Sequence, residues 1–237
     1  MEKKEIIKSK LSKKYFKETA NRYDYARNSD SREVELQKDE FEIIRKFLNN
    51  SKPGKILDVA CGTGVYFHVY KDREIHGVDI SKDMLKYAKL RNPKAILKVA
   101  NAEKLPYKDS TFSAVISSRF ICHTPEYKKI IKEINRVTVK GGSIILDFPN
   151  KYCLSAITTK IRLLLGKLAY YNLISYNEIK KIAKNNNLKI VGIKSKVFFP
   201  PKTLPKKYYH LIRNLNNKIS HKNNLFCTPL YVHFIKQ

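Results

Sequence analysis

Short apolar runs of strand length alternate with stretches whose apolar residues recur at helical spacing, and this rhythm organises most of the chain. Residues 5–48 carry helix-like material in two pieces. In the second, Glu33 to Leu48, the residues Val34, Leu36, Phe41, Ile43, Ile44, Phe47 and Leu48 keep a loosely helical period until Pro53 and Gly54 break it. K-I-L-D-V-A then reads as a strand, C-G-T-G as a tight turn and V-Y-F-H-V-Y as the helix that follows it. A second strand, E-I-H-G-V-D-I, ends at Asp79, and Ser81 is a good N-cap for a helix through Asp83, Met84, Leu85, Tyr87, Ala88 and Leu90. The pattern predicts further strands at Ile96–Val99, Ala114–Ser117 and Ser143–Phe148, a helix at Tyr127–Val137 and a glycine turn at Gly141-Gly142.

After Pro149 the rhythm changes. Residues 151–174 predict an apolar, basic helical insertion, and Ser175 with Glu178 makes an S-x-x-E capping box for a helix to about Asn186. Two last strand-like segments, Leu188–Phe199 and Leu225–Ile235, bracket a basic loop holding Pro200, Pro201 and Pro205. Short apolar strands alternating with helices predict an α/β fold, a seven-stranded, mostly parallel sheet with helices on both faces and a helical insertion after strand five.

Composition supports a packed globule: 43% of residues are hydrophobic and 11% aromatic, unlike disordered chains. Charge changes the picture more. The 48 Lys and Arg against 21 Asp and Glu leave +27, and after Glu178 there are thirteen basic residues and no acid. Such a field attracts polyanions, either RNA or an anionic membrane surface met through the basic C-terminal third. The plainer alternative is a Lys-, Asn-, Ile- and Tyr-rich composition with no partner behind it. The first residues lack a secretory signal, and Leu154–Ile174 is interrupted by Lys160, Arg162 and Lys167, short of a spanning helix. A cytoplasmic protein is expected, with peripheral membrane association left open. Cys61, Cys122, Cys153 and Cys227 have neither disulfide-framework nor zinc spacing, so no metal is expected and buried thiols are.

In an open parallel sheet, ligands sit beyond the carboxyl ends of the strands. Asp58, the Cys61–Gly64 turn, Asp79 and Asn101-Ala102-Glu103 all fall at that edge. Gly62 and Gly64 let the backbone turn tightly and approach a ligand, and Asp79 is placed to accept from ribose hydroxyls, so the expected guest is a nucleoside. The loop lacks the third glycine of a nicotinamide-binding G-x-G-x-x-G and the G-K-S/T of a phosphate-binding loop.

These residues resemble the class I S-adenosylmethionine-dependent methyltransferases. I-L-D-V-A-C-G-T-G (Ile56–Gly64) is similar to their first motif and G-V-D-I-S (Gly77–Ser81) to the second. N-A-E-K-L-P-Y-K-D-S-T-F (Asn101–Phe112) is similar to the third, and E-I-N-R-V-T-V-K-G-G-S (Glu133–Ser143) to the helix and turn before strand five. The opening Y-F-K-E-T-A-N-R-Y-D, Tyr15–Asp24, resembles that of the branch acting on quinones and other small molecules. The resemblance implies a Rossmann-like fold divided into an N-terminal helical cap (1–50), an S-adenosylmethionine-binding core (51–150), a helical insertion or acceptor lid (151–174) and a C-terminal helix and strands completing the sheet (175–237). It further implies that the Asp58–Gly64 turn, including Ala60, Cys61 and Gly62, holds the methionine part. Asp79 and the adjoining Ile80 would meet the ribose, Met84 and Asn101-Ala102 the adenine, and Ser117 would lie beside the sulfonium. Many members have Asp at the position of Asn101, whose amide oxygen can still accept from the adenine amino group.

The donor being already activated, the protein must chiefly align the acceptor and exclude water. Where a proton must leave, His123 is the candidate base, with a structural histidine capping the helix near Pro125 as the alternative. S-S-R-F-I-C-H-T after strand four lacks the D-P-P-Y or N-P-P-F pattern of enzymes methylating exocyclic base amines. An apolar lid and basic exterior favour a small-molecule acceptor, lipophilic or anionic, of isoprenoid or quinone type. The alternatives are an RNA methyltransferase, using the basic C-terminal third with Tyr208, Tyr209 and His210, and a module that binds the cofactor without catalysis.

Overall fold

The computed structural model describes residues 30–153, 155–166, 170–195, 211, 214–215 and 227–237. Helix α1 (Ser31–Asn49) leads into β1 (Ile56–Val59), β2 (Ile75–Asp79), α2 (Lys82–Arg91), β3 (Ile96–Val99) and β4 (Phe112–Ser117). These are followed by α3 (Tyr127–Val137), β5 (Thr138–Phe148), α4 (Ser155–Leu164), α5 (Tyr176–Asn185), β6 (Leu188–Lys194) and β7 (Leu230–Lys236). The strands form one seven-stranded sheet in the order β3-β2-β1-β4-β5-β7-β6. β1 to β5 pair in parallel, and β7 lies antiparallel between β5 and β6.

Alternation along the central strands explains the two-sided core. Leu57, Val59 and Val115 pack on one face with Ile130, Ile131, Ile134 and Val137 of α3. Their neighbours Ile56, Ala114 and Ile116 pack on the other with Ile43, Ile44, Phe47 and Leu48 of α1. Truncating any of the fully buried leucines or isoleucines to alanine would cost about 2–5 kcal/mol. Helix starts follow the predicted caps. Ser81 Oγ accepts from the Met84 N–H at 3.3 Å, and Ser175 and Glu178 complete a reciprocal capping box on α5.

Three expectations need correction. V-Y-F-H-V-Y forms only a short 3-10 turn, Phe67–Val69, rather than an α-helix. Tyr66, Phe67 and Tyr70 are all buried, and the short connection from β1 to β2 spends its length placing these three large rings rather than winding further. Gly141-Gly142 is not a turn before strand five but lies inside β5, which runs unbroken from Thr138. Gly141 has φ +71, and a Cβ on Gly142 would stand 2.8 Å from the Val139 carbonyl oxygen. The glycines therefore carry the strand through an irregularity, seen as a register shift opposite Phe112 and Ala114. Among the described residues, the helix of the 151–174 insertion spans Ser155–Leu164 rather than the whole stretch. The expected elements before residue 30, the tail of the Leu188–Phe199 segment, the start of Leu225–Ile235 and Tyr208, Tyr209 and His210 lie outside the described residues. No helix among the described residues is long and apolar enough to cross a membrane.

Candidate functional site

The sheet order reverses between β1 and β4, and the connections leaving these strands open a crevice at their carboxyl ends. The turn after β1 places Ala60, Gly62 and Gly64 at φ 59, 54 and 71, a left-handed path that glycine follows freely and alanine only under strain. A Cβ on Gly62 would meet nothing within 4 Å, so this backbone faces open space. One on Gly64 would stand 2.7 Å from the Phe67 ring, so that glycine serves packing. At the end of β2 the two Asp79 oxygens accept from the Gly62 and Ser81 N–H groups, each at 2.9 Å. Burial raises the Asp79 pKa, opposed by these N–H groups.

The remaining residues expected to meet the cofactor divide into two sets. Ile80 is 48% exposed, and exposed Asn101 uses Oδ1 to accept from the Glu103 N–H at 3.0 Å. Asp58, Cys61, Met84, Ala102 and Ser117 are buried behind the crevice. The Asp58 carboxylate accepts from the Tyr70 hydroxyl; burial pushes its pKa up to about 7 against that bond. Ser117 Oγ donates to the Val59 carbonyl at 2.9 Å, tying β4 to β1. The arrangement fits a nucleoside group: open backbone at Gly62 lies next to a carboxylate, and a carboxylate has about four acceptor sites, more than the backbone N–H groups of Gly62, Ile80 and Ser81 occupy.

A cavity of about 560 Å³ lies beyond β4 and β5, between α1 and α4, with Tyr231 of β7 in its wall. Glu40, Arg119, His123, Asp147 and Tyr171 also line it. Arg119 has φ 57, and its N–H donates to Asp147 Oδ1 at 2.6 Å. Its guanidinium reaches back to Glu40 of α1, Nη2 to Oε1 at 2.5 Å and Nε to Oε1 at 3.1 Å. Burial disfavours the charge on Arg119, but Glu40 outweighs it and holds the group protonated. The Tyr66 hydroxyl donates to Glu40 Oε2 at 2.7 Å, so this network runs from the glycine turn to the cavity wall. Burial carries Asp147 up to about 7, with the Arg119 N–H opposing it.

His123 sits in a 3-10 turn, Ile121–His123, edge-on to Tyr171 with ring centroids 5.4 Å apart. Burial lowers its pKa to about 4, so the imidazole is neutral at physiological pH. The N-cap of α3 is Glu126, whose N–H donates to Thr124 Oγ1 at 3.3 Å. Tyr231 is 2% exposed, and its hydroxyl has no hydrogen-bond partner among the described residues. Sequence reading missed Glu40, Arg119, Asp147 and Tyr231 as a group. Arg119 stood in the quoted S-S-R-F stretch, but the other three come from segments with no motif of their own.

Residues 57–146 match a family described as a methyltransferase domain. That stretch of the chain is similar to a methyltransferase domain. The domain is similar to the demethylmenaquinone methyltransferase of Bacillus mycoides, 36% identical over 105 residues, 40% of this chain and 44% of that one. It is also similar to the probable tRNA methyltransferase 9B of Homo sapiens, 34% identical over 116 residues, 47% of this chain and 25% of that one. The chain spans about half the length of the first curated relatives it matches. The fold superposes on that of a possible histamine N-methyltransferase of Thermotoga maritima with a TM-score of 0.66 and 17% identity, over 94% of this chain and 100% of that one.

Proposed function

We propose that this chain transfers a methyl group from S-adenosylmethionine to a small molecule held in the cavity between α1 and α4. The observation that carries the reading is a cavity of about 560 Å³ whose lining residue Glu40 pairs with Arg119 and accepts from Tyr66, two residues after the glycine turn. That volume lies within the range of roughly 300–1,000 Å³ usual for small-molecule sites. When bound, S-adenosylmethionine supplies an activated methyl group, leaving the chain's own residues to place the acceptor and exclude water.

In this reading Asp79 and the Gly62 backbone hold the nucleoside, and Ile80 and Asn101 border it. Arg119, Asp147 and the Tyr231 hydroxyl grip the polar end of the acceptor. His123, uncharged at physiological pH, receives the proton where an oxygen or carbon acceptor must lose one. Leu36, Ile43 and Leu173 give the same cavity apolar wall, which suits an acceptor with a polar head on a lipophilic body, such as a quinone precursor.

A second reading, methylation of RNA, draws on the net charge of +27 and the acid-free stretch after Glu178. Against it, Glu33, Asp39, Glu40 and Asp147 all line the cavity, where a phosphate-bearing acceptor would have to pass. Isothermal titration with S-adenosylmethionine and S-adenosylhomocysteine, followed by labelled-methyl transfer to lipid extract and to total RNA, tests the choice. Cofactor binding with label in the lipid fraction is expected. Label in RNA alone would reverse the order of the two readings, and no binding of either nucleoside would remove both.

A further inference from the structure

Helix α4 is built inside out. Its residues Ser155, Thr158, Thr159 and Arg162, spaced as one helical face, line the cavity. The opposite face carries Ile157, Ile161 and Leu164, continued by Leu165, and these are 58%, 49%, 86% and 62% exposed. A helix on a globule normally turns its apolar stripe inward. Here only Ala156 is buried as an apolar side chain.

We infer that the outward face of α4 docks on an anionic membrane surface. The charges around the stripe select this occupant. At 3.6 residues per turn, Lys160 falls on its border, where a long cationic side chain can lay its stem along apolar groups and place its head among lipid phosphates. Lys151 and Tyr152 stand exposed just before the helix, Tyr152 at 61%, and between Asp147 and Glu178 there is no acid. An aromatic ring and flanking cations beside an aliphatic face suit a headgroup boundary, into which such a helix sinks about 5–10 Å. Each cation brought near an anionic leaflet strengthens association about fivefold. A second copy of the chain fits less well: one stripe of four aliphatic residues is far short of the roughly 20–30 residues a side of a stable protein interface. Because the other face of α4 lines the cavity, docking would hold the cavity one helix away from the membrane, a nearness whose use for a lipophilic acceptor rests on the function proposed above; the docking itself does not.

The chain has no tryptophan, so Leu164→Trp gives a single indole on the stripe. With vesicles of phosphatidylcholine and phosphatidylserine, its emission should shift to the blue and be quenched by brominated acyl chains, and pure phosphatidylcholine should give less of both. Ile161→Asp with Leu165→Asp should lower vesicle co-sedimentation at least tenfold while leaving S-adenosylmethionine affinity and the unfolding midpoint as they were. Sedimentation with an unmoved indole signal would show that another basic face binds the lipid and would overturn the inference. So would no binding to either vesicle, or a blue-shifted indole that depends on protein concentration without lipid. Failure to bind S-adenosylmethionine with vesicle docking intact would defeat the methyltransferase reading alone.

Discussion

The two halves of the site are built in different ways. The crevice side is local: Gly62 and Asp79 come from the ends of neighbouring strands, and the Asp79 carboxylate binds the glycine turn directly at 2.9 Å. The cavity side is collected from α1, the second residue after β4, the end of β5, α4 and β7, and a partly buried ion pair between Arg119 and Glu40 holds it in shape. A short, backbone-rich site constrains what must be the same in every turnover, the donor. A site assembled from distant side chains is free to specify the acceptor.

The largest effect should come from the crevice. Asp79→Ala removes the carboxylate proposed to hold the ribose and should weaken S-adenosylmethionine binding by more than about a hundredfold in calorimetry, each lost charge-assisted bond being worth about 1.5–3 kcal/mol. Retained affinity would break the division between the halves at its root. Next is Arg119→Met, which leaves Glu40 buried without its cation. Breaking a buried pair costs about 3–5 kcal/mol, and because Arg119 keeps 27% exposure the lower end is expected, read as a drop in the denaturant midpoint. Nucleoside affinity should move by less than about fivefold; an equal loss would merge the two halves into one.

A smaller effect is the dependence on pH, which has two opposed limbs. His123 and His233, lowered to about 4, bind fewer protons folded than unfolded, where histidine titrates near 6.5, so stability falls as pH drops from about 6.5 towards 4. Asp58 and Asp147, raised to about 7, bind more protons folded than unfolded, so stability falls as pH rises from about 4 through 7. Asp147→Asn should therefore raise the melting temperature more at pH 8 than at pH 5. The smallest effect belongs to Tyr231→Phe. Deleting a buried hydroxyl without a partner should leave the empty protein as stable as before or up to about 1 kcal/mol more so, while methyl transfer to the cavity's acceptor falls. A loss of stability would mean that the hydroxyl serves the fold and not the acceptor.

The same contrast decides what could be read from the amino-acid order. The alternation of β1, β2, β4 and β5 with α2 and α3, the Ser81 cap and the Ser175–Glu178 box follow from patterns a few residues long, and so did the turn at Gly62. The short 3-10 turn after Gly64 did not, because its aromatic residues look helical in spacing while their job is to reach distant partners, Tyr66 to Glu40 and Tyr70 to Asp58. Gly141 and Gly142 read as a turn because glycine marks either a reversal or a strand irregularity, and only pairing with β4 distinguishes them. Asp58 and Ser117 were placed at the correct strand ends, but which way their side chains are engaged depends on Tyr70 and Val59. The cavity was the least legible, since nothing near Glu40 in sequence announces a partner 79 residues on.

The most direct test is a crystal structure of the protein with S-adenosylhomocysteine bound. The ribose hydroxyls should meet Asp79, the methionine part should lie along the Gly62 backbone, and the sulfur should face the cavity walled by His123, Asp147 and Tyr231. A sulfur turned away from that cavity, or a nucleoside seated elsewhere on the sheet, would contradict the joining of the two halves into one active site.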